Sequence, residues 1–397
     1  MKRLVILALA CCMLLSLVCC GNGETQNEQS SAETTSEGTE MTTETETEKA
    51  EKKIVEAISP VNETVVLAND EVYGWWSTFH WGKTDSKPFY RHEDIYYPKA
   101  VNFSWTCSFD GEDADYYRVY LSRNEDMSDY ESYLVNEPSL TLDHLYTGTV
   151  YYWQVDAVKG NNERVERSDV YTFTTAESPR CLEIEGVSNT RDIGGMAAVE
   201  GYRIKQGMIY RGGKLEDITE AGRDYFVNVL GLKTDLDLRT VGEGGAGAGS
   251  PLGENINYVL LDGRYYIGDK GISNETGMKI FADEIRVFAN PDNYPIYIHC
   301  SLGRDRTGTL AMVIEGLLGV DKNNIMMDYE LSVFSVTGTM DNASVSAIRS
   351  NIRATYDYIR TFKGATFAEK TENYLLSIGI TAEEIQTIRD LLLEEVK

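Results

Sequence analysis

Pro295-Ile296-Tyr297-Ile298 leads into His299-Cys300-Ser301-Leu302-Gly303-Arg304-Asp305-Arg306-Thr307-Gly308, which leads into Thr309-Leu310-Ala311-Met312-Val313-Ile314. The first apolar run suits a short buried strand and the second a buried helix, so the polar stretch between them must be a strand-to-helix loop. In an open α/β sheet such a loop lies at the carboxyl end of its strand, where these sheets place their ligands. Its backbone N–H groups and the first helical turn converge on one point and favour an anion there. Cys300 stands at that point. A thiol so placed, with Arg306 able to curl back over it, is expected to ionise well below its free pKa of about 8.5 and to act as a nucleophile. Arg306 offers a planar fork matched to two phosphate oxygens. Gly303 permits a tight or left-handed turn, and the Thr307 hydroxyl is placed to hydrogen-bond the sulfur. His299 reads either as a support for the loop or as a core histidine.

The run His-Cys-x-x-Gly-x-Asp-Arg-Thr-Gly resembles the loop of the tyrosine-phosphatase superfamily. Three upstream stretches narrow the likeness: Asn189-Thr190-Arg191-Asp192-Ile193-Gly194-Gly195, Tyr210-Arg211-Gly212-Gly213-Lys214-Leu215, and Asp237-Leu238-Arg239 followed by Glu243. In that order they resemble the bacterial secreted tyrosine/lipid phosphatases, whose loop carries Lys at the position of Arg304. The resemblance implies hydrolysis of a phosphomonoester through a phosphocysteine on Cys300. Arg306 would grip the phosphate, with Ser301, Leu302, Gly303, Arg304 and Thr307 binding the substrate. It also implies Asp305 as the acid that protonates the leaving oxygen, and no metal or other cofactor. Between Arg304 and Arg306 an aspartate is stabilised as the anion, so the acid role requires bound phosphate to raise its proton affinity again. Asp237 is the alternative acid, with Asp262 behind it. The Arg191–Gly195 stretch reads as a packed turn supporting the loop.

Within this chemistry the reading is a protein-tyrosine phosphatase with dual-specificity or phosphoinositide activity. The alternatives are an inositol-phosphate phosphatase and a non-catalytic phosphate-binding or adhesion lipoprotein. A net charge of -26 repels phosphate backbones and argues against nucleic acid. The chain has seven cysteines and four histidines, with no Cys-x-x-Cys, so neither a disulfide framework nor a zinc site is indicated.

Before this α/β region come three other segments. Residues 1–20 combine a basic start, an apolar core and Leu17-Val18-Cys19-Cys20-Gly21, and resemble a lipoprotein signal peptide. Cys20 would then be lipidated and hold the protein outside the cytoplasm on a bacterial cell membrane. Residues 21–53 are Ser, Thr and Glu with almost nothing apolar, and are expected to be a disordered tether. Residues 54–177 show short alternating strands between polar turns, the pattern of an all-β sandwich. Leu145-x-x-Gly148-Thr149-x-Tyr151 resembles the fibronectin type III pattern, with Tyr151 as the tyrosine corner and Trp105 as the core tryptophan. An aromatic insertion from Tyr73 to Tyr97 reads as a long loop, either packed on the next domain or contacting a protein or glycan.

Residues 178–397 alternate strand and helix, and the resemblance implies a mostly parallel central sheet flanked by helices, with a helical C-terminus. Thr219 is expected to cap a helix stopped by Gly231, and a strand follows over Leu232–Leu238. A helix over Gly277–Ala289 precedes the Ile296 strand. After the loop, helices are expected over Thr309–Leu318, Asn324–Phe334, Ala343–Phe362 and Thr366–Ser377. A last one begins at the Thr381-Ala382-Glu383-Glu384 capping box and runs to Glu395.

Overall fold

The computed structural model describes residues 54–84, 97–109, 111–263, 269–335 and 342–396. The leader with Cys20, the tether, and Phe89, Tyr90 and Tyr96 of the aromatic insertion lie outside the described residues.

Alternation builds the first domain. In the strand Val101–Cys107, Val101, Phe103 and Trp105 turn inward while Asn102 and Thr106 face solvent. In Val150–Lys159, Tyr151, Trp153, Val155 and Ala157 do the same. The first strand pairs with Val55–Ser59 and Ser139–Leu142 in one sheet. The second is central to a six-stranded sheet with Tyr116–Ser122, Tyr130–Val135, Arg164–Arg167, Tyr171–Thr175 and Thr64–Val65. The two inner faces meet in one core in which Phe103 sits edge-on to Trp153, with ring centroids 5.1 Å apart. The Tyr151 hydroxyl accepts the Tyr146 N–H at 2.8 Å, the back-bond of a tyrosine corner. Trp105 is fully packed in this core.

The aromatic insertion is not a loop at its start. Asn69 accepts the Glu71 N–H and caps a helix over Asp70–Thr78. Val72, Trp75 and Phe79 are buried, and they belong to the core of the second domain. The Trp75 ring meets Phe334 edge-on at 5.2 Å. Asn323 closes the contact by accepting the Trp81 N–H (2.9 Å) and donating to the Phe79 carbonyl (3.1 Å). Packing on the neighbouring domain therefore accounts for Tyr73, Trp75, Trp76, Phe79 and Trp81, and the expectation of a protein- or glycan-binding surface is corrected for these residues. Burial of large rings outweighs the small gain from leaving them exposed. A second junction pairs Thr147 with Gln206: the Thr147 N–H donates to Oε1 (3.0 Å), and Nε2 donates back to the Thr147 carbonyl (2.8 Å).

The second domain holds a six-stranded sheet. Its order is Arg180–Cys181, Arg191–Asp192, Ile209–Gly212, Ile296–His299, Thr234–Asp237, Asn257–Leu260, of which the last four run parallel. Ile296–His299 lies between two parallel neighbours, and every residue in it is buried. The helix after it spans Asp305–Leu318, four residues more than its apolar run suggests, and is buried throughout from Thr307. Helices Glu275–Phe288, Lys322–Leu331, Asn342–Ile359, Phe367–Ser377 and Ala382–Leu392 complete the layers. No helix among the described residues is long and apolar enough to cross a membrane.

Two expectations change. The helix capped by Thr219 is regular only over Glu220–Asp224 and widens into a π-helical turn at Tyr225–Val229. The last helix has its capping box between Thr381 and Glu384 but stops at Leu392. Leu393–Glu395 is instead a strand antiparallel to Tyr202–Ile204, where Arg203 pairs with Glu394 at 2.6 Å. The ladder satisfies backbone groups that continued helix would have left at an open edge.

Candidate active site

Cys300 follows the central strand directly and is 3% exposed. The loop turns sharply at Gly303, whose φ is +68°. A Cβ there would lie 2.1 Å from the Gly212 carbonyl oxygen, so only glycine lets the loop press this close to the neighbouring strand. Four loop carbonyls are held from outside. The Lys214 N–H reaches the Ser301 carbonyl at 3.3 Å, and Asn189 Nδ2 reaches that of Leu302 at 2.9 Å. Arg211 reaches those of Gly303 and Arg304 at 2.9 and 3.3 Å. Because each peptide unit is planar and trans, carbonyls fixed outward leave their N–H partners facing the centre of the loop.

The supports are themselves tied down. Arg191 Nε meets Asp328 Oδ1 at 2.7 Å, and Arg211 pairs with Asp328 Oδ2. Burial works against the Asp328 anion, but the two guanidinium groups overcome it and hold its carboxyl below the usual range. Beside it, burial and the Asp328 charge push the Glu315 carboxyl well up. The Arg191–Gly195 stretch is thus the packed turn its sequence suggests, and Asn189 and Arg211 carry its support to the loop.

His299 is a support and not a plain core histidine. Its Nε2 lies 2.8 Å from Asp235 Oδ1, and its Nδ1 lies 3.3 Å from the Cys300 carbonyl. Burial disfavours the charged ring, yet Asp235 raises its proton affinity above the ordinary value.

Around the sulfur the balance favours the anion. Burial pushes the Cys300 thiol up, but the Arg306 charge and the hydroxyl and N–H of Thr307 outweigh it, with Asp305 opposing them, and the result lies below the ordinary thiol value. The Thr307 hydroxyl makes no standard hydrogen bond among the described residues, which leaves its proton for the sulfur it faces. The Arg306 guanidinium spans the Glu243 carboxylate at 2.8 and 2.5 Å and approaches the Ser301 hydroxyl at 3.5 Å. Ser301 in turn donates to Glu243 at 2.5 Å. The bond to Arg306 pulls the Glu243 carboxyl down to about 2.

Of the two acid candidates, the loop contains one. Asp305 opens the helix, with Arg304 Nη2 at 2.9 Å from its Oδ2 and the Tyr329 hydroxyl donating to its Oδ1 at 2.7 Å. Asp237 is fully buried: Arg239 Nε and Nη2 reach its two oxygens at 2.8 Å each, and the Tyr258 hydroxyl donates to Oδ2 at 2.9 Å. Burial raises its proton affinity, but the Arg239 fork lowers it further and keeps the carboxylate charged. Asp237, the alternative acid, is thus fully buried in an ion pair with Arg239, whereas Asp305 lies in the loop itself. Asp262 accepts the Thr240 hydroxyl at 2.9 Å after the edge strand.

The sequence names Asn189, Arg211 and Glu243 only as parts of motifs, and Asp328 and Tyr329 are not singled out by it. The Asp-Leu-Arg-x-x-x-Glu spacing carried the signal for Glu243; nothing local marks the helix Lys322–Leu331 as a source of partners.

Comparison with known proteins agrees with this geometry. A Cupriavidus necator protein named for the tyrosine-protein phosphatases is 27% identical over 169 residues, covering 37% of this chain and 61% of that protein. The chain thus spans less than two thirds of that relative. A tyrosine-protein phosphatase of Nostoc commune is 26% identical over 214 residues, covering 43% of this chain and 69% of that protein. Among solved structures, the core catalytic domain of the S. cerevisiae PP-IP phosphatase SIW14 aligns with 42% of this chain and 93% of its own, at 20% identity and a TM-score of 0.27. The fibronectin type III domain of human KIAA0970 protein aligns with 20% of this chain and 65% of its own, at 25% identity and a TM-score of 0.18. The sequence pattern of the tyrosine phosphatase family matches residues 182–394, more than half of the chain and all of the loop and its supports. On that match the chain belongs to the tyrosine phosphatase family.

Proposed function

We propose that this protein hydrolyses phosphomonoesters through a phosphocysteine on Cys300, with protein phosphotyrosine as its main substrate class. The observation that carries the reading is the depressed thiol at the centre of a loop whose carbonyls are all held outward. The phosphate sits on the inward N–H groups of Leu302, Gly303, Arg304 and Asp305, and Arg306 takes two of its oxygens. The Cys300 thiolate attacks phosphorus and the P–O bond to the leaving group breaks. Asp305 gives that oxygen its proton, then takes one from the water that cleaves the S–P bond, so that inorganic phosphate leaves and the thiolate returns. Thr307 stabilises the departing sulfur. Bound phosphate draws Arg304 away from Asp305 and leaves that carboxyl to face the leaving oxygen. No metal or cofactor takes part.

A second reading, phosphoinositide or inositol-phosphate hydrolysis, is favoured by one feature. Arg304 places a rigid second cation next to the phosphate site, suited to a neighbouring phosphate on a polyphosphorylated ring. We place the protein outside the cytoplasm, held to a bacterial membrane through Cys20, on the residues of the leader alone.

The test uses the purified protein on phosphotyrosine peptides beside phosphoinositides and inositol phosphates. Cys300→Ser abolishes turnover on all of them while retaining binding of inorganic phosphate. Wild-type turnover in that variant would overturn the nucleophile, and a clear preference for the inositol substrates would establish the second reading.

A further inference from the structure

The helix Lys322–Leu331 sends two consecutive residues to the loop. Asp328 anchors Arg211, which holds the loop backbone, and Arg191, which holds Asn189 against it. Tyr329, 3% exposed, lies under the start of the loop's own helix. Its ring packs directly over Gly308, where a Cβ would be 2.6 Å from Cδ2 and would displace it. Its hydroxyl donates to Asp305 Oδ1 at 2.7 Å.

We propose that Tyr329 is a positioning residue for the acid–base step, fixing one oxygen of Asp305 so that the other, Oδ2, is the atom that gives and takes the proton. This rests on the assignment of Asp305 as the acid. A carboxylate at the first position of a helix can swing between rotamers, and only a partner on another element can pin it. Arg304 cannot be that partner during turnover, because it comes from the same loop and is drawn to the substrate. Tyr329 comes from a separate helix and remains when Arg304 leaves. Among the described residues, Arg304 beside it and Tyr329 below it face Asp305, and its charge is felt at the Cys300 sulfur. The Tyr329 hydroxyl can donate to Oδ1 in both protonation states, so it does not compete for the proton on Oδ2.

The experiment compares wild type, Tyr329→Phe, Asp305→Asn and the double variant on two aryl phosphates, one with a good leaving group (4-nitrophenyl) and one with a poor one (phenyl). Tyr329→Phe keeps the ring, so its packing on Gly308 survives, and thermal melting checks that it folds. Loss of a hydrogen bond to a charged group is expected to lower kcat on phenyl phosphate about tenfold more than on the nitrophenyl ester, with KM little changed. In the Asp305→Asn background the same change is expected to add nothing to the leaving-group ratio. If Asp305→Asn shows the selective loss but Tyr329→Phe slows both esters equally, Tyr329 is structural and the inference is overturned. If Asp305→Asn itself shows no selectivity, the acid assignment fails and the inference fails with it.

Discussion

Arg306 is held at both ends of its guanidinium by Glu243, at 2.8 and 2.5 Å. Glu243 therefore orients the phosphate fork and also subtracts part of its charge from the field at Cys300. Glu243→Gln separates the two effects. Loss of orientation is expected to lower kcat/KM about tenfold, the scale of one charge-assisted hydrogen bond. Loss of the negative charge is expected to move the acid limb of kcat/KM to lower pH, since the thiolate then sees more of Arg306. A pH profile of the purified variant checks both, and an upward move would contradict the electrostatic part.

Cys300 itself sets a second pH dependence. Its thiol is depressed, so the reactive anion persists below the ordinary thiol range and is lost only as pH falls through the lowered value. Alkylation by iodoacetate, followed against pH, is expected to titrate below about 8.5. Arg306→Met removes the favourable charge and is expected to shift that titration upward.

Asp237→Asn tests the role of the buried carboxylate at the sheet's carboxyl end. Arg239 keeps Glu216 as a charged partner at 2.6 Å, so the loss is expected to be that of hydrogen bonds to a charged group, about 1.5–3 kcal/mol. Denaturant unfolding measures this. The ratio of rates on good and poor leaving groups is expected to stay at the wild-type value in the surviving folded protein.

Much of this was written locally. The strand, loop and helix around Cys300 follow from two apolar runs and a glycine, because backbone geometry over so short a stretch depends on its own residues. The tyrosine corner at Tyr151 was legible for the same reason. The partners of the loop were not, because Asp328 and Tyr329 reach it from a helix whose position depends on packing far along the chain. The insertion around Trp75 left two outcomes open, since aromatic density reports apolar area and not which surface covers it. The final strand Leu393–Glu395 was hidden by good helix-forming residues, and its pairing with Tyr202–Ile204 overrode their local preference.

His144 gives the domain junction its own response to acid. Its buried ring accepts the Glu183 N–H at Nε2 (2.9 Å), which requires that nitrogen to be unprotonated. Burial pushes its proton affinity down to about 4. The unfolded chain binds the proton near pH 6.5 and the folded one near 4, so stability is full above 6.5 and falls as pH drops between these values. The loss is on the order of 3 kcal/mol. Thermal melts over that window are expected to show the decline, and His144→Asn, which tolerates the left-handed backbone there, is expected to flatten it.

Trp75→Ala probes the other junction. Removing a buried tryptophan is expected to cost about 3–5 kcal/mol. Because the ring belongs to the α/β core while its helix belongs to the insertion, the variant is expected to separate the unfolding transitions of the two domains further than the wild type does. Urea titration followed by tryptophan fluorescence and by far-UV circular dichroism distinguishes these outcomes.

Among the described residues the sandwich is fastened to its neighbour through His144 and Thr147 at one place and through the Phe79–Trp81 turn on Asn323 at another. A single attachment is a pivot, whereas separate ones remove the freedom to swivel. The face of the α/β domain that carries the Cys300 loop therefore keeps one orientation to the sandwich.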